Sequence, residues 1–575
     1  MRLAGVAAAR AAGSLARGAA TPYHAVKALA ILPPERLRVA PPDIRTADPT
    51  VADEIYAGYF SFDGKTVEAQ GRSPFAVRPP SAAWRRSLAG FSWLRHLRAA
   101  DKALTRANAR ALVADFLAQR LDADDPALEP AVTARRLLSL LAQSPILLDG
   151  AEQEFYERFM AALARDARAV FRALTDAKAR GAVRLTCAVA LTEFSICADN
   201  ARKFQSLAVR ILGVELDRQI LSDGGHVSRN QQVLLDLLLD LLPMRQVFAA
   251  RGAHPPDAAL RAIDRMIPML RMLQHGDGSL ALFNGMGATQ QDRLATILSH
   301  DEAPGAAPIN APYAGYQRLE AGEALLIVDA GPPPPFEHSR HAHAGCLSFE
   351  YSLGRERVVV NCGAPASHYE AARELARATA AHSTLVVADR SSCRIAPALD
   401  PRRRRAGRML AGPSAAPVDR RQSKSGQVLE LSHNGYAREF GLLHERVLAL
   451  THDGVRLIGE DRLVPAPRAT HRVAPVDFVV RFHIHPRAAL TAVAAGQKVE
   501  IALPSGARLL FQAVGFTPTI EESVYFAGAE GARKCFQIAL AGRAAPYAKV
   551  RWSFRRLTEA ALPAAGEVPQ EGDLW

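Results

Sequence analysis

From Trp84 to about Leu298, apolar residues recur three and four positions apart. This pattern predicts helices over 102–121, 130–146, 150–176, 183–198, 201–221, 230–250, 255–274 and 288–298. Asp176, Gly181, Asp223-Gly224-Gly225 and Gly252 fall at or near the breaks, where helices stop and start. Val233, Leu234, Leu235, Leu237, Leu238, Leu239, Leu241 and Leu242 leave little polar face before Pro243, so this helix has to be covered on more than one side. Many antiparallel helices with short links fit a bundle or a ring of helical hairpins. After about Pro308, short β-rich runs alternate with turns, at 324–329, 347–353, 357–361, 384–388, 428–432, 447–451, 478–484, 499–503, 508–513, 536–541 and 550–554. So long a series of strands predicts a large antiparallel sandwich.

Composition adjusts this picture at the edges. Residues 36–82 are rich in Pro, Gly and Asp and read as an extended lead-in with a few turns or short strands. Ahead of it the first acid is Glu35, and Arg2, Arg10 and Arg17 interrupt the Ala-rich run 3–20. Any secretory core there is short and broken, and a flexible or helical extension is the expectation. No run of about 18 charge-free apolar residues occurs, so no membrane span is expected. The 575 residues suffice for two or more domains. Six scattered cysteines without a CxxC pair read as buried thiols, not as a disulfide framework or a four-cysteine zinc site.

A formal charge of +13 suits an anionic partner (acidic polysaccharide, nucleic acid or membrane surface) or reflects a plain bias toward Arg and Ala. The basic run Arg402, Arg403, Arg404 and Arg405 sits in a Pro/Ser/Gly-rich interval between strands and reads as an exposed loop. No aromatic residue interleaves it, so specific nucleic-acid binding is not expected.

The chemistry-bearing segments are more specific. His341-Ala342-His343-Ala344-Gly345-Cys346-Leu347-Ser348-Phe349-Glu350 leads to Val358-Val359-Val360-Asn361-Cys362-Gly363 and then to Thr379-Ala380-Ala381-His382-Ser383-Thr384-Leu385-Val386-Val387. Further on stand Asp453-Gly454, Gly459-Glu460-Asp461-Arg462-Leu463 and Arg481-Phe482-His483-Ile484-His485-Pro486. Upstream, Asp223-Gly224-Gly225-His226-Val227-Ser228-Arg229-Asn230 closes the helical half's Gln219-Ile220-Leu221-Ser222. In order and spacing these resemble the heparinase II/III family, over most of residues 84–560.

The resemblance implies an α+β multidomain fold, an incomplete N-terminal (α/α) toroid followed by a large antiparallel β-sandwich. The expected division is an extension and lead-in over 1–83, a toroid over 84–308 and a sandwich over 309–575. It also implies a polysaccharide lyase, acting by β-elimination on an acidic, uronate-containing glycan in the cleft between the two domains. The family implies the cell envelope or periplasm, while the start of the chain leaves the cytoplasm open. Elimination needs a base for the proton beside the carboxylate, donors that hold the charge growing there, and an acid for the leaving oxygen. Glycosidases instead flank the bond with two carboxylates, and none of these motifs supplies such a pair.

Carried over by position, His341 matches a catalytic acid/base, and His343 and His382 match metal ligands. The third ligand, an Asp in the family, is Asn361 here, a neutral amide that weakens any site for zinc or calcium. Gly345 likewise replaces an Asp. Two readings stand for His343 and His382: a metal site, or a hydrogen-bonded structural pair. His226 on its Gly-Gly turn is a candidate to reach the cleft from the helical side, or an exposed loop histidine. Arg229 could clamp a sugar carboxylate bidentately or be solvated. Ser228 and Asn230 lie where a helix begins, so capping competes with carboxylate contact.

The family's toroid tyrosine has no counterpart, since no tyrosine lies between Tyr156 and Tyr313. Tyr316 is the replacement to test, against a structural strand position. Tyr436 and His444 divide between substrate binding and packing, whereas His483 and His485 share a strand face and read as core. Without that tyrosine, either other residues carry the proton or the chain is a non-catalytic acidic-glycan-binding protein on the same scaffold.

Overall fold

A computed structural model describes residues 31–557, apart from 177, 303–304, 367–368, 398–405 and 468–473. The Ala-rich extension and the basic run 402–405 lie outside the described residues. The chain separates into two compact units that interleave along the sequence and do not meet at a single cut near 308. One holds the described part of Met1–Ile220 with Leu235–Asp264 and Ala295–Asp301; the other holds Leu221–Leu234, Arg265–Leu294 and the chain from Glu302 on.

The predicted helices are observed as Ala103–Ala118, Pro130–Ala142 with Ser144–Leu148, Gln153–Thr175, Ala182–Cys197, Arg202–Gln219, Gln231–Ala250 and Asp257–Met272, of which the last two run across the division between the units and the others lie in the helical unit. The lead-in adds a helix, Pro49–Tyr56, and a hairpin of Tyr59–Phe62 with Lys65–Glu68. The next helix, Ala82–Ala89, starts where the Ser81 side chain accepts from the Trp84 amide, as an N-cap should. Trp84 itself is buried and donates its indole N–H to the Phe60 carbonyl, so it is an anchor. Ala182–Cys197 is buried around nearly its whole surface, including Glu193. Among the described residues no helix is long and apolar enough to cross a membrane.

The second unit is a sandwich of two antiparallel sheets. Among the described residues one has nine strands, ordered Thr519–Tyr525, Arg533–Ala544, Val476–Ile484, Glu356–Val360, Phe349–Leu353, Ala324–Asp329, Tyr316–Ala321 and Asn310–Ala311, with Leu385–Val387 also on Val476–Ile484. The other has eight, ordered Val418–Gln422, Gly426–His433, Leu442–Thr451, Arg456–Pro465, Ala548–Leu557, Arg508–Val514, Lys498–Ala502 and Ala489–Val493. Leu442–Thr451 alternates buried and half-buried residues along its whole length, the period of a strand with one face inward. Between the sheets Phe349 stacks on Trp552 at 5.5 Å, and Phe482 meets Trp552 at 4.7 Å and Phe511 at 5.1 Å.

A fully buried charge cluster sits in this core. Asp461 accepts from His444 Nε2 at 2.7 Å, from Arg446 Nε and Nη2 at 2.7 and 3.0 Å, and from Trp552 Nε1 at 2.8 Å. Burial alone would raise the Asp461 carboxyl, but the Arg446 charge and the His444 hydrogen bond outweigh it and hold it below the ordinary range. His444 is therefore an interior hydrogen-bonding group, not a substrate contact. Tyr436 is corrected in the same way: it is 1% exposed and its hydroxyl donates to the Leu385 carbonyl at 3.0 Å. All six cysteines are free and buried, as composition suggested.

Candidate active site

The segment 221–230 folds onto the sandwich unit because Arg229 is fastened there. Its five N–H groups have five acceptors: Ala314 O at 2.6 Å, Gly331 O, Pro332 O and Gly315 O each at 2.9 Å, and Asp329 Oδ1 at 2.5 Å. The guanidinium also lies over the Tyr316 ring at 4.8 Å. No donor is left for a sugar carboxylate, so Arg229 positions the backbone and does not clamp substrate. Its own backbone is held left-handed, at φ 60°.

Tyr316 belongs to the same buried network. Its hydroxyl donates to Arg229 O at 2.5 Å and accepts from Asn284 Nδ2 at 3.0 Å, while Asn284 Nδ2 also reaches Asp329 Oδ2 at 3.1 Å. Burial raises the phenol above its ordinary value. A tyrosine so enclosed is not a proton donor to a polymer, and its catalytic assignment is withdrawn. His226 is also corrected. It is 1% exposed, Nδ1 accepts from the Ser228 amide at 3.1 Å and lies 2.6 Å from the Ser228 hydroxyl, and burial next to His338 lowers it to about 3. It is a neutral, sealed histidine.

This framework brings together one polar pair, Asn230, which is 7% exposed, and the exposed His341. The Asn230 side chain accepts from the Gln232 amide at 2.8 Å through Oδ1, capping the helix Gln231–Ala250. That leaves Nδ2, which has no hydrogen-bond acceptor among the described residues. The left-handed turn Asn284-Gly285, at φ 49° and 95°, passes beside it. A Cβ on Gly285 would stand 2.9 Å from Asn230 Nδ2, 2.6 Å from His341 O and 3.2 Å from His341 Cβ. Only glycine lets Asn230 and His341 close on this turn.

His341 is exposed, and its ring has no hydrogen-bond partner among the described residues. Arg377 braces its loop by donating to Ala342 O at 2.8 Å and Ser339 O at 3.0 Å. The surrounding protein is dense enough that desolvation, followed by Arg373, Arg340, Arg377 and Arg408, lowers His341 to about 4. At neutral pH it is an uncharged imidazole in a cationic setting.

Comparison with known proteins bears on these residues. The family model described as "Heparinase II/III-like, C-terminal" matches residues 303–553. "FtsZ-localized protein C" of Caulobacter vibrioides (strain NA1000 / CB15N) is 31% identical over 545 residues, covering 93% of this chain and 92% of its own. The chain belongs to the heparinase II/III family. Two solved structures of that family share the fold at low identity. A heparan sulfate lyase HepC mutant from Pedobacter heparinus is 16% identical, with a TM-score of 0.64, covering 96% of this chain and 91% of its own. A heparinase III is 12% identical, with a TM-score of 0.67, covering 87% and 80%. The helical toroid with an antiparallel sandwich is thus the fold of this heparinase II/III family member.

The residues at the family's metal position do not fit a metal here. His382 Nδ1 faces Ala378 O at 2.7 Å and must carry a proton, so Nε2 accepts from His343 Nδ1 at 3.0 Å and its lone pair is occupied. Asn361 turns Oδ1 to the Ser383 amide at 2.9 Å and Nδ2 to Glu350 at 3.1 Å. Gly345 has no room for the family's acid, since a Cβ there would lie 2.6 Å from His382 Cδ2. Among the described residues no three His, Cys, Asp or Glu side chains could hold a metal ion. Of the two readings for this pair, the hydrogen-bonded one matches the geometry.

Sequence reasoning missed Asn284, Gly285 and Asp329, which together set the turn and anchor Arg229. The Asn-Gly dipeptide was a visible signal for a left-handed turn. Asp329, read only as a strand end, gave none.

Proposed function

We propose that this protein cleaves an acidic, uronate-containing glycan by β-elimination, with His341 transferring the proton and Asn230 holding the sugar carboxylate. The supporting observation is the meeting of an exposed, neutral imidazole with an amide N–H donor across the Gly285 turn. Asn230 Nδ2 donates to the carboxylate and stabilises the charge that develops on it as the adjacent C–H bond breaks. His341 takes that proton, the C–C double bond forms, and the C–O bond to the leaving sugar breaks. The imidazolium then returns the same proton to the departing oxygen. A histidine lowered to about 4 suits the second half of this cycle, because its conjugate acid gives the proton up readily. One residue in both roles removes the need for a tyrosine.

A second reading rests on the likeness to FtsZ-localized protein C, which extends over nearly the full length of both chains. On it, the protein is a non-catalytic member that associates with FtsZ, and the scaffold binds a glycan or none. Incubating the full chain with uronate-containing glycans and following the ultraviolet absorbance of the unsaturated product separates the two. Product that disappears in His341→Ala supports the lyase. Co-sedimentation with FtsZ polymers, with no product from any uronate glycan, supports the second.

A further inference from the structure

The eight-stranded sheet turns a row of cations away from the core. Along Ala548–Leu557 burial alternates, with Val550, Trp552 and Phe554 inward and Lys549, Arg551, Ser553 and Arg555 half-buried on the opposite face. The neighbouring strand Arg456–Pro465 sets Arg456 opposite Arg555, Ile458 opposite Ser553, Glu460 opposite Arg551 and Arg462 opposite Lys549, so Arg456 and Arg462 join the same face. Six residues of extended chain separate Lys549 from Arg555, which makes the row about 20 Å long. His341 lies between two strands of the other sheet, Ala324–Asp329 and Phe349–Leu353, so this face is no part of the Gly285 turn.

Acids cover only part of this charge. Glu460, its side chain fully enclosed, accepts from Arg462 and from Arg551 Nε at 2.7 Å, and lies 2.9 Å from Lys549 Nζ. Arg462 also stands 3.8 Å from Glu445 on the next strand. Arg456 and Arg555 face each other directly, and among the described residues neither guanidinium has an ion-pair or hydrogen-bond partner. Asp453, in the turn before Arg456, uses Oδ1 on the Thr451 hydroxyl and the Val455 amide and pairs with neither. Like charges directly opposite across an antiparallel pair destabilise it, so folding alone gives no reason for this one. Farther out on the face, Arg421, Lys498 and Arg508 are matched in number by Asp419, Glu430 and Glu500. The excess is therefore confined to the middle of the sheet, where five cations meet the two carboxylates of Glu445 and Glu460.

We infer that this face is a second glycan-binding surface, an assignment that rests on the uronate-glycan reading above. It holds an extended uronate polymer along the two strands, with carboxylates on Arg456, Arg555 and the cations that follow them. A linear row suits a linear polyanion, and guanidiniums take carboxylates through paired hydrogen bonds. Nucleic acid fits less well, because no Phe, Tyr or Trp stands among the outward residues of these two strands to stack a base.

Binding is read by calorimetry with polygalacturonate, alginate and hyaluronan, in the full chain carrying His341→Ala so that nothing is cleaved. At least one polymer should bind, more weakly as salt rises. Adding Arg456→Gln and Arg555→Gln should weaken binding about three- to tenfold and flatten its salt dependence. The melting temperature should stay or rise, because the repulsion across the strands is gone. Arg456→Lys with Arg555→Lys should keep most of the affinity. No affinity for any of the three polymers, or equal affinity in the Gln variant, overturns the inference. So does tighter binding of single-stranded DNA or of anionic vesicles through the same two arginines. Absence of unsaturated product from the wild type counts against elimination only; glycan affinity that depends on Arg456 and Arg555 survives it.

Discussion

At the Gly285 turn, His341 and Asn230 each leave a polar group without a partner among the described residues, and His341 stands open to solvent. In the core between the sheets, His444, Arg446 and Trp552 all converge on one carboxylate, Asp461, and every member is buried. The residue types are similar and both places carry family-like motifs. What separates them is satisfaction: a side chain whose donors and acceptors are matched holds structure, and one left unmatched at a surface is available for chemistry. Arg229 and Tyr316 show the same rule inside the candidate site, where full hydrogen-bonding makes them supports.

The sharpest way to break this contrast is His341→Ala, which should cost about 10²- to 10⁴-fold in eliminative rate, the range for a positioned acid/base, and leave thermal stability unchanged. Asp461→Asn should do the reverse. Leaving the Arg446 guanidinium uncompensated in the core costs about 3–5 kcal/mol of stability, read by denaturant unfolding. Because its folded carboxyl is depressed, the stability Asp461 gives is full above the ordinary carboxylate range and lost only as strong acid protonates it. Asn230→Ala should lower the rate by about 10²- to 10³-fold through loss of the carboxylate donor. It also removes a helix cap, so stability should fall by about 1 kcal/mol. The smallest effect belongs to Tyr436→Phe, where losing the bond to Leu385 O costs about 1 kcal/mol and no activity.

Much of this was legible beforehand, for physical reasons. The long helices were read to within about three residues at their ends because their apolar periodicity is long. The stretch 130–146 instead divides into Pro130–Ala142 and Ser144–Leu148, and short helices such as Ala82–Ala89 and Leu94–Ala100 went unread. The strands that escaped notice are instructive. Val418–Gln422, Ala489–Val493 and Thr519–Tyr525 are edge strands with little buried surface, so alternation is weak. Arg456–Pro465 is central, but Glu460, Asp461 and Arg462 interrupt its apolar pattern, and partners on other strands make the burial of Glu460 and Asp461 possible. At the site, local sequence could nominate His341 and Asn230 but could not tell them from His226, Arg229 or Tyr316. Burial and hydrogen-bond closure come from residues up to about a hundred positions away, as the Arg229–Asp329 pair shows.

The most direct test is the pH profile of kcat/KM for the wild-type chain on a uronate glycan. A neutral His341 as base predicts a rate that rises through about pH 4 and is level near neutrality, with the whole profile lost in His341→Ala. Activity that survives His341→Ala with the same profile would contradict the account.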